Sequence, residues 1–380
     1  MCSLFSFLLF SCSIGEDIPP CAPAPKTFTV LDFIYDYNMQ GKDLFNQHAG
    51  SVYLYVFDED SIMLYRKNKS KVDMQLNNVD FSFTFDESEI IPGKTYHFVA
   101  MAQGNHAGYE ASLNTPGFQI VPDIEMIPGV SRIKDFIIKL DYNNDGELDF
   151  GVVDFRDTYG NSTKMIDTIW STKPGEIQTI EIPSSNYVPS LEALPDNIVN
   201  VEVPMMRLTN SITVNLFHPY FVSTTNSDDY IFLINFPKGN AYLDFTGRIY
   251  PSQPLYYRAL RKSTVPFQMK ENDNTQYNIS ENNFYAIKAE FGVSRLQNTD
   301  KSSLQIRNSK TDKIVIKIED FSNFLADYFE HGFSDSQEFL DREYDFEIDI
   351  ALNDNDEVLW IQCGCAILGW AKRIYNYDVK

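Results

Sequence analysis

An aspartate-rich segment in the first half of the chain contains the sharpest ligand-binding pattern. Asp141, Asn143, Asp145, Glu147 and Asp149 follow the spacing D-x-N-x-D-G-x-x-D. Oxygen ligands at alternate positions, with a glycine where the loop turns, are typical of Ca²⁺ sites. The pattern predicts a structural Ca²⁺ loop in which Glu147 binds through its carbonyl and the other four residues through their side chains. A hairpin turn without an ion is the alternative, because the same residue types favour turns.

The cysteines are the second group of residues with chemical potential. The sequence Leu-Phe-Ser-Cys that ends at Cys12 follows a short apolar run and resembles a bacterial lipobox. We therefore expect residues 1–11 to be a signal segment and Cys12 to be the lipidated N-terminus, with an ordinary apolar terminus as the alternative. We predict one disulfide, from Cys21 to either Cys363 or Cys365, and buried free thiols are the alternative.

No arrangement typical of an enzyme is visible in the sequence. The histidines lack the i, i+4 spacing of a helical metal site, and no G-x-S-x-G, P-loop or G-x-G-x-x-G sequence occurs. Carboxylates are so numerous that neighbouring pairs arise by chance. We therefore predict a non-enzymatic protein without a certain cofactor. The dispersed histidines are His48, His97, His106, His218 and His331.

Charge and composition exclude several classes of protein. The chain has 31 Lys and Arg against 53 Asp and Glu, a net charge of −22. A nucleic-acid binder needs a basic surface for the phosphate backbone, so we expect no nucleic-acid partner. The hydrophobic content of 43% is sufficient for a large packed core. No apolar stretch approaches the roughly 18–20 residues of a membrane-spanning helix, which excludes a polytopic membrane protein.

Most of the chain has the residue pattern of short β-strands. Runs of about five to ten residues rich in Val, Ile, Tyr and Phe recur from Phe28 onward and end on Asp, Asn, Gly or Pro. The best helical segment begins at Asp320, as N-cap, and ends at Gly332. Many short strands separated by turns predict an all-β sandwich architecture.

Composition divides these strands into two predicted domains. Residues 12–27 are rich in proline and read as an extended spacer. A second segment rich in proline and serine, residues 183–197, precedes a new series of strands. We therefore predict an N-terminal β-sandwich domain at 28–198, which contains the Asp-rich loop, and a C-terminal β-sandwich domain at 199–380.

Several of these segments together resemble a known family. They are DFIYDYNMQGKDLFNQHAGSVYLYVFDED at 32–60, IIPGKTYHFVAMAQG at 90–104, and the QEFLDRE and Ile-Leu-Gly-Trp sequences at 337–343 and 367–370. In these features the chain resembles the FimB-like fimbrial anchor subunits of bacteroidete type V pili. The resemblance is weakest at about residues 118–182, where the Asp-rich loop lies.

The resemblance implies a structural role at the cell surface. Members of this family are outer-membrane lipoproteins with two transthyretin-like β-sandwich domains, and they anchor the pilus shaft and influence its length. Their partners are other pilus subunits, joined by strand complementation, in which a strand of one subunit completes the sheet of another. The implied membrane contact is made by lipid on Cys12.

The same resemblance gives two expectations about individual strands. An anchor cannot lose its first strand by cleavage without leaving its lipid, so we expect the strand at Phe28–Tyr37 to stay in place. We expect coupling to the shaft at another edge, the segment Glu357–Tyr377, for which an ordinary internal strand is the alternative. The competing function is that of a tip subunit or surface adhesin for a carbohydrate or protein, which would lose the segment that carries Cys12.

Overall fold

Short strands make up most of the structure, a computed structural model. It describes residues 26–71, 80–91, 93–104, 119–122, 125–141, 168–173, 178–181, 197–250, 254–259, 261–267, 284–327, 333 and 335–365. Within these ranges helices are few and short. The predicted all-β class is therefore confirmed.

Among the described residues of the first half, up to residue 207, are ten strands, one α-helical turn and a 3₁₀ turn at Ile133–Asp135. The strands and the α-helical turn are β1 (Thr27–Ile34), α1 (Phe45–His48), β2 (Ala49–Phe57), β3 (Met63–Ser70), β4 (Phe83–Asp86), β5 (Thr95–Gly104), β6 (Gln119–Pro122), β7 (Ile137–Asp141), β8 (Ile169–Thr172), β9 (Gln178–Glu181) and β10 (Asn197–Arg207).

Among the described residues of the second half are eleven strands, two α-helices and a 3₁₀ turn at Ser227–Asp229. The strands and the α-helices are β11 (Thr209–Phe217), β12 (Tyr230–Phe236), β13 (Tyr242–Asp244), β14 (Ile249–Tyr250), β15 (Leu255–Arg258), β16 (Arg261–Phe267), β17 (Phe284–Ser294), β18 (Ser303–Asn308), β19 (Ile314–Glu319), α2 (Phe321–Asp327), α3 (Ser336–Arg342), β20 (Asp345–Leu352) and β21 (Val358–Cys365).

The first sandwich is one path of strands that folds back on itself. The order is β3-β2-β5-β8-β10-β1-β4, and β9 pairs with β5. The path turns at β10, because residues 197–204 pair in parallel with β1 and residues 205–207 pair with β8. Leu31 of β1 and Leu54 of β2 lie in the same buried cluster, so the two halves of the path face each other across one core.

The core of the first sandwich is centred on aromatic rings. Trp170 of β8 is completely buried, and its ring centroid lies 5.8 Å from that of Tyr35 and 6.4 Å from that of Phe45. The side chains of β1 alternate between buried and half-buried. This alternation is the pattern expected of a strand with one face on a core.

The second sandwich consists of two separate sheets. One has the order β16-β17-β11-β20-β21 and the other β15-β12-β18-β19. β11 and β20 are parallel neighbours, and the other pairs in these two sheets are antiparallel. Val214 and Ile348 of the first sheet share a buried cluster with Ile234 and Ile306 of the second.

A four-stranded sheet with the order β14-β13-β7-β6 joins the two halves. β7 belongs to the first half and β13 to the second, and Ile138 lies opposite Leu243 in their antiparallel pairing. Both residues are completely buried. This shared sheet was not predicted from the strand patterns of the sequence.

The domain boundaries stay predictions. Residue 199 lies within β10, which pairs with strands of the first half, whereas β11 pairs with strands of the second half. Leu208 lies between these two strands and is completely buried.

The predicted helix at Asp320 is confirmed at its start. α2 begins at Phe321, and the carbonyl of Asp320 accepts a hydrogen bond from the backbone N–H of Phe324 at 2.9 Å. The Asp320 carboxylate also accepts from the side-chain amide of Asn323 at 2.8 Å. The predicted end of the helix at Gly332 lies outside the described residues.

Candidate functional site

The predicted calcium loop begins where β7 ends. Asp141 is the last residue of that strand. Asn143, Asp145, Glu147 and Asp149 lie outside the described residues. Within the described ranges, no three His, Cys, Asp or Glu side chains lie close enough together to hold a metal ion. The calcium loop stays a prediction.

The lipidation site and the proposed disulfide are only partly covered by the structure. Cys12 and Cys21 lie outside the described residues. Cys363 is completely buried in β21, opposite Ile348 of β20, and Cys365 ends the same strand. A disulfide from Cys21 to either residue would attach the N-terminal spacer to β21, the end strand of its sheet. This disulfide stays a prediction.

The histidines that the structure describes lie in separate places. His48 ends α1, His97 lies in β5 and His218 follows β11. The Nε2 atom of His218 is 3.5 Å from Oδ1 of Asp356. Burial lowers the pKa of His218, and the nearby Asp356 carboxylate partly opposes that shift. His106 and His331 lie outside the described residues.

The QEFLDRE segment forms the short helix α3, which the sequence analysis treated only as a family motif. The carboxylate of Asp335 caps the helix by accepting a hydrogen bond from the backbone N–H of Glu338 at 2.8 Å. An aspartate followed three residues later by a glutamate is a recognised signal for a helix N-terminus. That pattern was therefore available in the sequence.

Asp341 of α3 forms a buried ion pair with Arg295, the residue after β17. Nε and Nη2 of Arg295 donate to the two carboxylate oxygens of Asp341, each at 2.8 Å. Only 7% of Arg295 and 8% of Asp341 are exposed. The side-chain amide of Gln337 also donates to Asp341 Oδ1 at 2.9 Å. Bidentate geometry and an additional donor are the conditions under which a buried ion pair is well compensated.

The same arginine also holds the turn between β13 and β14. Its Nη1 donates to the carbonyl of Gly247 at 2.6 Å. Gly247 has a φ of +71°, and a Cβ atom there would lie 3.2 Å from Cδ2 of Leu208. Glycine therefore permits both the turn and the close approach to the residue that joins β10 to β11.

Two arginine–tyrosine contacts complete the junction between the halves. The guanidinium of Arg342 in α3 lies 4.3 Å from the ring centroid of Tyr37, which follows β1. The guanidinium of Arg207 in β10 lies 4.1 Å from the ring centroid of Tyr344, which follows α3. Burial, with the Asp341 carboxylate next, raises the pKa of Tyr37 to about 12. The tyrosine is therefore neutral at pH 7, and the two cation–π contacts hold α3 and the adjacent Tyr344 against the first half.

Edge strands are the candidate sites for pairing with another subunit. An edge strand presents unpaired N–H and C=O groups, and natural proteins protect such edges with charged residues or proline. Within the described ranges, the edge strands of four or more residues are β3, β4, β6, β9, β15, β16, β19 and β21. All of these except β21 contain a charged residue or a proline.

β21 is therefore the least protected of these edges. It lies at the end of its sheet beside β20, and its sequence is V-L-W-I-Q-C-G-C. A register shift interrupts the pairing of β3, β19 and β21 alike. The absence of charge and proline, and not the absence of a bulge, distinguishes β21 from the other two.

The family of the chain follows from its sequence. The model of the fimbrillin-A associated anchor proteins Mfa1 and Mfa2 matches residues 23–376. The chain belongs to this Mfa2 family. The matched range contains β1, α3 and β21, and the predicted resemblance to fimbrial anchor subunits is confirmed. No curated protein sequence matches the chain.

Solved structures share the fold of this Mfa2-family chain. A candidate adhesin from Bacteroides thetaiotaomicron has a TM-score of 0.62 at 20% identity. The match covers 90% of this chain and 97% of that chain. A candidate adhesin from Bacteroides ovatus has a TM-score of 0.60 at 18% identity, with 97% of this chain and 99% of that chain matched. The fimbrial anchor protein Mfa2 from Porphyromonas gingivalis has a TM-score of 0.54 at 13% identity, with 92% and 100% matched. At these identities the likeness shows the fold alone.

Within the described residues, no helix is long and apolar enough to cross a membrane.

Proposed function

We propose that this Mfa2-family protein is an outer-membrane lipoprotein that anchors a type V pilus and influences its assembly or length. In this proposal residues 1–11 are a signal segment, Cys12 carries the lipid, and residues 12–27 form the spacer to the first sandwich. The family match supports a fimbrial role.

The position of β1 carries the proposal. β1 lies between β10 and β4 and pairs with both. Leu31 and Phe33 of β1, and Tyr35 just after it, are buried in the core of the first sandwich. Removal of β1 would take an interior strand out of the sheet. A subunit that needs its first strand for folding keeps its N-terminus, and so keeps its connection to Cys12.

A covalently bound lipid, and not electrostatic attraction, would attach this acidic protein to the membrane. With a net charge of −22, the protein gains no electrostatic attraction to anionic lipid. One acyl chain gives only marginal binding to a bilayer, so stable attachment needs more than one chain. A diacylglycerol on Cys12 with a further acyl group would satisfy this requirement.

The direct test is fractionation and intact-mass measurement of the mature protein from its native host. We expect wild-type protein in the outer membrane with an acylated Cys12 and β1 retained, and Cys12→Ala protein outside the membrane fraction. A mature protein that begins after Ile34 and has no lipid would contradict the anchor function. That result would favour the tip subunit or adhesin, since a tip subunit loses the lipidated segment.

We further propose that other pilus subunits pair with the β21 edge, by strand complementation. The lack of charge along β21 supports this choice, because an added strand would bury no unpaired charge there. Main-chain hydrogen bonds would supply affinity, and alternate side chains would supply specificity. The edge lies in the segment Glu357–Tyr377 that the sequence analysis selected.

A lysine on the β21 edge should weaken capture of the shaft subunit. Leu359 in β21 is 40% exposed, and Ile314 in β19 is 42% exposed. We expect Leu359→Lys to lower the affinity for shaft subunits at least about tenfold, which corresponds to about 1.4 kcal/mol. Ile314→Lys is the matched control and should leave the affinity unchanged. Pull-down with purified shaft subunits measures both, and equal losses in the two variants would rule out β21 as the specific edge.

A further inference from the structure

Three lysines on β3 and just after it lie over three phenylalanines on and before β4. The Nζ atom of Lys67 is 4.1 Å from the ring centroid of Phe85. The Nζ atom of Lys69 is 5.2 Å from the ring of Phe83. The third pair is Lys71 and Phe81, at 5.7 Å. We call these six residues the lysine–phenylalanine ladder.

The ladder closes one side of the first sandwich. β3 and β4 are the two ends of the folded strand path, so the ladder spans the opening between its edges. The lysines follow in steps of two along β3, while the phenylalanines follow in steps of two in the opposite direction. All three phenylalanine side chains are buried, with exposures of 4% or less. The aliphatic lysine stems therefore cover the rim of the core.

The lysines point to the core side of an edge strand. Lys67 lies opposite Leu54 of β2 and Lys69 lies opposite Val52. Leu54 and Val52 are completely buried core residues. A strand that added to β3 would extend this core face over the lysines. It would bury their charges beside apolar side chains, which is costly.

The ammonium groups have partners at the rim that fix them in place. Lys67 Nζ lies 2.5 Å from Oε1 of Glu89. Lys69 donates to the backbone carbonyl of Ser82, and Lys71 donates to the carbonyl of Asn46 at 2.9 Å. Burial also lowers the pKa of Lys71. Inward-pointing charges of this kind are one of the devices that protect edge strands from pairing with another chain.

We propose that the lysine–phenylalanine ladder shuts the β3–β4 side of the first sandwich against strand addition by a second copy of this chain. β3 is eight residues long and would otherwise be a suitable template for edge-to-edge pairing. The ladder thereby leaves the first sandwich without an acceptor edge on this side. The inference concerns the isolated chain and does not depend on the proposed anchoring of a pilus.

The test is the oligomeric state of a variant that keeps the stems but removes the charges. In the triple variant Lys67→Met, Lys69→Met, Lys71→Met, the methionine side chains still cover the phenylalanines. We expect the weight-average mass, measured by light scattering, to rise with concentration between about 10 and 200 µM toward the mass of a dimer, as for symmetric edge-to-edge pairing. Hydrogen exchange should show increased protection of the β3 amides in the associated form.

Two further variants separate charge removal from the position of the charges. Lys42→Met, Lys94→Met, Lys238→Met makes the same change in charge at exposed turn positions and should stay monomeric. The variant Lys67→Arg, Lys69→Arg, Lys71→Arg keeps the charges and should also stay monomeric. If the triple methionine variant does not fold, the single Lys69→Met variant is measured in its place. A folded, monomeric variant at the highest concentration, or association without protection of β3, overturns the proposal.

Discussion

Replacement of Asp341 by asparagine is expected to lower the free energy of unfolding by about 3–5 kcal/mol. The substitution keeps the shape of the side chain but leaves the Arg295 guanidinium buried without its bidentate carboxylate partner. The cost of that unpaired charge is large because both side chains are more than nine-tenths buried. Chemical denaturation followed by circular dichroism measures the loss.

The control for Asp341→Asn is another arginine–aspartate ion pair, one whose aspartate is exposed to solvent. Nη1 of Arg307 donates to Oδ1 of Asp312 at 2.6 Å, but the Asp312 side chain is 77% exposed. Exposed pairs contribute little, so Asp312→Asn should cost less than about 1 kcal/mol. Similar losses in the two variants would contradict the importance of the buried pair. In Arg295→Met, Asp341→Leu, part of the lost stability should return, because no unpaired charge is left.

Deletion of β1 is expected to abolish the folding of the first sandwich. A chain that begins at residue 39 lacks Leu31, Phe33 and Tyr35, which are buried in its core. Burial of each such side chain contributes about 1.5–3 kcal/mol, and the sum approaches the entire stability of a typical domain, about 5–15 kcal/mol. Near-ultraviolet circular dichroism should show loss of the aromatic packing around Trp170.

The matched control for this deletion is a chain that begins at residue 26 and keeps β1. It should retain the near-ultraviolet signal of the full chain. A peptide of residues 26–38, added to the chain that begins at 39, should restore that signal if β1 acts as a separable strand. A chain that folds fully without β1 and without the peptide would remove the main support for the anchor function.

The sequence was sufficient for the class of the fold and for the family. Alternation of apolar and polar residues reports which face of a strand is buried, so the first strand, predicted from Phe28, is observed as Thr27–Ile34. Asp320 marked the start of α2 because helix-capping chemistry is local. QEFLDRE and the strand motifs indicated FimB-like fimbrial anchor subunits without any knowledge of what those residues contact, and the match to the Mfa2 anchor family confirms that resemblance.

The contacts between the two halves could not be predicted from sequence patterns. Arg295 and Asp341 are 46 positions apart, and no local spacing relates them. The pairing of β7 with β13 joins segments about a hundred residues apart, and their order in the sheet follows from the packing of both halves. Short strands such as Tyr242–Asp244 carry too few residues for a distinct period.

The amino-acid sequence by itself determined that this protein is an acidic, all-β member of a fimbrial anchor family, because composition, strand alternation and short motifs are local properties. The tertiary structure alone decided which edges are protected. In the sequence, the lysines at 67, 69 and 71 have the pattern of an ordinary solvated face. Only in the folded sandwich do these lysines, on β3 and just after it, lie over the phenylalanines on and before β4. Which charged residues lie at an edge depends on which strands are neighbours, and that is fixed by contacts between distant segments.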